Sequence, residues 1–148
     1  MTSIHETLQQ VFGLQQFRPF QQEIIERVIG GGDAFVLMPT GGGKSLCYQL
    51  PALQRRGLAI VISPLISLMK DQVDALTSKN IPAARLDSSL DAAEFEKVTD
   101  ALRDGSLRML YIAPERLANA KFLASLRKQN IALLAVDEAH CISEWGHN

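Results

Sequence analysis

Short apolar runs alternate with amphipathic stretches along this chain. "AFVLM" (34–38), "LAIVIS" (58–63), "RMLYIA" (108–113) and "IALLAVD" (131–137) are nearly continuous in apolar residues, as strands buried on both faces of a parallel sheet require. "AARLD" (83–87) reads as a further strand. Helical stretches fill the intervals: 44–56, 67–79, 91–104 and 119–129. The third of these opens on Asp91 and Glu94, which have the spacing of a capping box, as do Ser3 and Glu6 near the start of the chain. Gly13 is placed to end that first helix. Pro19 suits the first turn of a second helix, which would run through "FQQEIIERVI" to the glycines at 30–32. Ile24, Ile25 and Val28 recur there at helical spacing and predict a core-facing side. Strands and helices alternating in this way predict an α/β three-layer domain.

Composition narrows the class. The 148 residues are about one domain's length, and 47% apolar with 21% charged residues is the balance of a globular chain. A net charge of −1 excludes a uniformly basic surface, so a nucleic-acid role needs local basic patches. Charge is uneven: residues 87–100 hold five acids and one base, and 101–130 hold six bases and two acids. Solvated helix faces account for both stretches, and the basic one could also meet nucleic acid. Cys47 and Cys141 lie far apart without paired spacing, which points to free thiols in a reducing compartment rather than a disulfide framework. "MTSIHETLQQ" lacks the basic start and apolar run of a signal peptide, and no apolar stretch reaches the ~18–20 residues of a membrane helix. The expected setting is cytoplasmic, and at the nucleoid if the protein is DNA-bound, with no membrane partner. The residues do not identify a protein partner.

Chemistry enters with "VLMPTGGGKSLCYQ" (36–49). Residues 39–45 stand between a predicted strand and a predicted helix, the context of a phosphate-binding loop, although Met38 occupies the first glycine position of G-x-x-x-x-G-K-[ST]. Gly41, Gly42 and Gly43 can turn backbone N–H groups inward, because glycine has no Cβ to block a close approach, and Thr40 joins them as a nucleotide-binding candidate. Lys44 supplies a point charge for the β- and γ-phosphates. Ser45 would bind Mg²⁺, with the N-terminus of the next helix facing the phosphates. The competing reading is a glycine-rich turn with an incidental lysine. "LLAVDEAH" weighs against it: an apolar strand ending in two carboxylates, 93 residues after Lys44. Asp137 can hold Mg²⁺ through its water shell, Glu138 can orient or deprotonate an attacking water, and His140 can report the γ-phosphate state. Two acids after a strand are a weak signal alone, since a helix N-terminus also favours acids. Together with the phosphate loop they indicate nucleotide hydrolysis, in which the protein positions groups and stabilises charge.

Asp137-Glu138-Ala139-His140 resembles the DEAH box of superfamily 2 helicases, in which the first loop glycine is often missing. Further segments resemble one branch, the RecQ DNA helicases. "LQQFRPFQQEII" (14–25) is similar to their adenine-recognition motif. The resemblance implies that Gln21 makes paired hydrogen bonds to the adenine edge and that Arg18 contacts the nucleotide; an amide suits a base edge with one donor and one acceptor. Leu14 stands where the family often has an aromatic residue. "SPLISLMKDQ" (63–72) and "YIAPERL" (111–117) resemble DNA-contacting motifs, which makes Ser63, Ser67, Lys70 and Arg116 candidate donors to DNA phosphates. Read without the resemblance, Leu65, Leu68 and Met69 are plain core and Arg116 is a solvated surface residue. "DEAHCISEWGHN" resembles the start of the aromatic-rich loop that couples DNA binding to hydrolysis in RecQ enzymes, with Trp145 and His147 as DNA-binding candidates. A tryptophan stacked on an exposed base is worth roughly 1–3 kcal/mol. The bland alternatives are Trp145 as partly buried core and Cys141/His147 as metal ligands, the latter without a second Cys/His cluster to complete a zinc site. Asn148 stands where the family usually has aspartate.

The resemblance covers essentially the whole chain. It implies a RecA-like P-loop NTPase fold, a mostly parallel sheet between helices, with residues 1–148 forming the first motor lobe of an enzyme that has two. It also implies ATP and Mg²⁺ as cofactors, single-stranded and partly duplex DNA as partner, and 3′-to-5′ unwinding in recombination and repair. The chain stops inside the aromatic-rich loop, before the next family motif, the second lobe and its arginine. The expectation is therefore a lobe incomplete at its C-terminus, with a strand position between the phosphate-loop and carboxylate strands left empty. A non-catalytic ATP- or DNA-binding module is the alternative.

Overall fold

The computed structural model describes residues 3–31 and 44–136. They fall into two compact units divided between Arg56 and Gly57.

The first unit is helical. Helix α1 (Ile4–Gln10) starts where the Ser3 hydroxyl accepts the Glu6 N–H, 3.1 Å away, and stops before Gly13 is reached. Helix α2 spans Gln21–Ile29 and α3 spans Leu46–Gln54. Leu8, Ile25, Leu46 and Leu50 form their shared core, edged by Ile4, Phe12, Phe17 and Ile29. Of the predicted core stripe on α2, Ile25 is buried while Ile24 and Val28 are half-buried. Two long-range bonds add to the packing: Gln54 Nε2 donates to Thr7 Oγ1 (2.7 Å) and Arg55 Nη1 to the Val28 carbonyl (3.2 Å). Pro19 lies outside the helix it was expected to begin. The Gln21 N–H bonds the Arg18 carbonyl (3.1 Å) and closes a turn over 18–21, so α2 starts after Phe20.

The second unit is the parallel sheet. Its strands are β1 (Leu58–Ile62), β2 (Ala83–Leu86), β3 (Met109–Ile112) and β4 (Ile131–Val136), in the order β2-β3-β1-β4 and all parallel. Helices α4 (Ile66–Ser78), α5 (Ala92–Asp104) and α6 (Ala120–Arg127) make the crossovers, and a 3₁₀ turn, Pro114–Ala118, follows β3. Each boundary lies within two residues of the sequence reading, the usual play at element ends. Asp91 and Glu94 form the full reciprocal capping box that starts α5. Leu58, Ile60 and Ile62 pack with Leu86, Leu110 and Ile112 against Leu102 of α5 and Phe122 and Leu126 of α6. The alternate residues Ala59, Val61, Met109 and Tyr111 are buried as well, so β1 and β3 are covered on both faces, as their unbroken apolar runs predict. β4 ends the described sheet, with Leu134 61% and Val136 45% exposed. The predicted strand 34–38 lies outside the described residues.

Candidate functional site

Parallel strands bring their C-terminal ends to one edge, where open α/β sheets bind ligands. Here those ends are level: Leu86 pairs with Ile112, Ile112 with Ile62, and Ile62 with Val136. The next described residues along the chain are Asp87, Ala113 and Ser63, so the segments 63–72 and 111–117 leave the sheet side by side.

Ser63 is 1% exposed, and its hydroxyl accepts the Leu65 N–H at 3.2 Å. The group that was expected to meet DNA thus shapes the turn into α4. Ser67 and Lys70 are exposed on α4 at a spacing of three, which places them on one helix face. Of the residues read as core, Met69 is fully buried, Leu68 is half-buried and Leu65 is 43% exposed. Arg116, in the turn after β3, is half-buried: Nη2 donates to the Asp87 carbonyl (3.0 Å) and the guanidinium lies over the Phe95 ring, 4.9 Å from its centroid.

Asp87 is the residue that motif reading missed. It is fully buried, with its carboxylate taking the Ser89 N–H (2.8 Å), the Ser89 hydroxyl and Arg85 Nη1 (2.6 Å). Burial pushes its pKa up, but the Ser89 bonds and the bond and charge of Arg85 outweigh burial and hold it below the usual carboxylate value. The signal was present in "LDSS": an aspartate just past a strand, two residues before a serine, is an Asx-turn pattern.

In the helical unit, Lys44 and Ser45 open α3. Their carbonyls accept the Cys47 N–H (3.0 Å) and the Gln49 N–H (2.9 Å), so both residues stand at the positive end of that helix. Ser45 is the N-cap, yet its hydroxyl makes no capping bond. A hydroxyl left out of the helix start suits an oxygen ligand for Mg²⁺. Gln21 is 3% exposed and its Oε1 accepts the Arg18 N–H (2.7 Å), which ties together the two residues expected to read a nucleotide. Cys47 is a buried free thiol whose pKa burial raises to about 11. Thr40, Gly41, Gly42, Gly43, Asp137, Glu138, His140, Cys141, Trp145, His147 and Asn148 lie outside the described residues. Among the described residues, no group of His, Cys, Asp or Glu is arranged to hold a metal ion, and no helix is long and apolar enough to cross a membrane. A cleft at the opposite, N-terminal edge of the sheet is lined by Gly57, Pro82, Leu102, Arg108 and Asn130, and by none of the predicted site residues.

The family model for DEAD/DEAH box helicases matches residues 18–148. This chain belongs to that family. Within it, the chain is 48% identical over 143 residues to the ATP-dependent DNA helicase RecQ of Pasteurella multocida (strain Pm70), covering 97% of this chain and 23% of that protein. It is 49% identical over 138 residues to the RecQ of Bacillus subtilis (strain 168), covering 93% and 23%. It is 46% identical over 144 residues to the ATP-dependent helicase wrn-1 of Caenorhabditis elegans, covering 95% and 13%. This chain thus spans about a quarter or less of the length of these three relatives. A crystal structure of a hypothetical ATP-dependent RNA helicase from Sulfolobus tokodaii superposes with a TM-score of 0.73 at 21% identity, covering 99% of this chain and 44% of that one. That likeness supports the RecA-like fold alone.

Proposed function

We propose that these residues serve the first motor lobe of an ATP-dependent DNA helicase of the RecQ type, which unwinds DNA with 3′-to-5′ polarity. The carrying observation is that Lys44 and Ser45 open a helix, with the Ser45 hydroxyl outside the capping bonds. The similarity to RecQ proteins over nearly the whole chain supports the same reading. ATP would be held by Thr40, Gly41, Gly42, Gly43, Lys44 and Ser45, with Arg18 and Gln21 at the adenine. Ser45 and Asp137 would hold Mg²⁺, which supplies charge neutralisation at the phosphates. Glu138 would position or deprotonate the attacking water, and His140 would report the γ-phosphate state. Ser67, Lys70, Trp145 and His147 are the proposed contacts to single-stranded and partly duplex DNA, with Arg116 and the Ser63 turn on the same sheet edge.

The test is ATP turnover by the full-length protein with and without single-stranded DNA, beside a Lys44→Ala variant. DNA-stimulated turnover that falls by at least about a hundredfold in the variant is expected. Turnover indifferent to Lys44 would refute the nucleotide site. Nucleotide or DNA binding by the full-length protein without any turnover would favour the non-catalytic module.

A further inference from the structure

Charge alone makes Arg116 a phosphate donor, but its surroundings point to a different task. Its guanidinium joins three elements: the turn Pro114–Ala118 that carries it, the Asp87 carbonyl at the exit of β2, and the Phe95 ring on α5. Each anchor is itself fixed. Asp87 is fully buried and held by Ser89 and Arg85. Phe95 packs against the sheet core beside Leu102 and Phe122. A planar guanidinium can stack on a ring and donate in its own plane at once, and a lysine ammonium cannot.

We propose that Arg116 is a positioning residue that pins the Pro114–Ala118 turn to the β2 exit loop, and that it acts on DNA binding through that placement rather than as a phosphate contact. The proposal rests on the helicase reading for its DNA, and on the geometry of the sheet edge for its latch.

The two roles separate by salt dependence and by substitution chemistry. Binding of single-stranded DNA by the full-length protein would be measured over a salt series for Arg116→Ala, Arg116→Lys and Phe95→Leu, with backbone hydrogen exchange on the same proteins. A latch predicts that Arg116→Lys and Phe95→Leu both weaken binding by roughly three- to tenfold, the size of one lost hydrogen bond. The slope of log K against log salt would stay unchanged in all three, and exchange would rise at amides 87–90, 113 and 115–119. A phosphate contact predicts instead that Arg116→Ala lowers the slope by about 0.7, that lysine restores it, and that Phe95→Leu is silent. That pattern overturns the proposal. Wild-type protein that fails to bind DNA would count against the helicase reading, and the exchange data would then decide the latch alone: unchanged protection in Arg116→Lys and Phe95→Leu overturns it.

Discussion

Arg85 Nη1 stands 2.6 Å from Asp87 Oδ2, and the carboxylate it meets is fully buried while the arginine side chain is 18% exposed. A buried carboxylate persists only when its oxygens are occupied. Here Oδ1 takes both donors of Ser89 and Oδ2 takes Arg85, so the exit of β2 is fixed by a short network that uses residues 85, 87 and 89.

Replacing Asp87 with asparagine keeps the volume but places an NH₂ where one of the donors now points. We expect a loss of about 1–3 kcal/mol at pH 7, read by urea unfolding. The pH dependence has a definite sign. The folded pKa of Asp87 lies below its unfolded value of about 3.9, so its stabilisation is complete above that value and fades as pH falls through the folded pKa. The gap between wild type and Asp87→Asn should therefore narrow as pH drops below about 4. A gap that stays constant from pH 7 to pH 3 would mean that the charge of Asp87 contributes nothing.

Gly57 opens β1 at φ +110°, and a Cβ there would sit 2.3 Å from the Asn130 carbonyl oxygen. That same oxygen accepts the Leu58 N–H at 2.8 Å. The register between β1 and β4 also shifts at this point, from Leu58↔Ile131 to Ala59↔Leu133. Gly57→Ala must therefore both strain the backbone and push away the partner of the first β1–β4 bond. The expected cost is at least ~2 kcal/mol, measured by thermal or urea unfolding. Gly105 is the control: it caps α5 at φ +80°, and a methyl group added there would meet nothing within 4 Å, so Gly105→Ala should cost only about 1 kcal/mol. Equal losses at the two positions would show that the clash at Asn130 is absorbed.

Legibility in the sequence followed the range of each interaction. Strand and helix positions in the second unit were readable because a parallel sheet covered on both faces needs unbroken apolar runs, and "LAIVIS" and "RMLYIA" have them. The capping box at Asp91 and Glu94 was readable because both partners lie within one turn. Arg116 with Phe95, and the Asp87 carbonyl with Arg116, join residues more than twenty positions apart, and no periodicity encodes such a meeting. The local role of Ser63 was hidden for a related reason. A hydroxyl after a strand fits a phosphate donor and a turn former equally well, and the bond from the Leu65 N–H that shows the second role is visible only in the fold. Pro19 was misread because a proline suits the second position of a tight turn as well as a helix start, and here the local Arg18–Gln21 bonds close a turn over 18–21 before α2 begins.

Phe20 offers the last test. It precedes α2 at φ +70°, a left-handed conformation that costs an L-residue with a Cβ about 1–2 kcal/mol. Its side chain is 70% exposed and makes no capping bond, so packing recovers little of that cost. The strain is held in place by the Arg18–Gln21 turn: the Gln21 N–H bonds the Arg18 carbonyl across Pro19 and Phe20, and a turn with proline second and φ +70° third is of type II, which needs that positive φ. Phe20→Gly removes the strain, and the added freedom of glycine in the unfolded chain offsets about 0.5–1 kcal/mol of the gain. A net stabilisation of roughly 0.5–1 kcal/mol is expected, seen as a rise in Tm of about 1–4 °C. Phe20→Val should move the other way, since a β-branched residue tolerates the left-handed region least. If glycine lowered Tm instead, the exposed ring would have to be making a contact that outweighs its backbone strain, and the segment next to Gln21 would be held by that ring rather than by the Arg18–Gln21 turn.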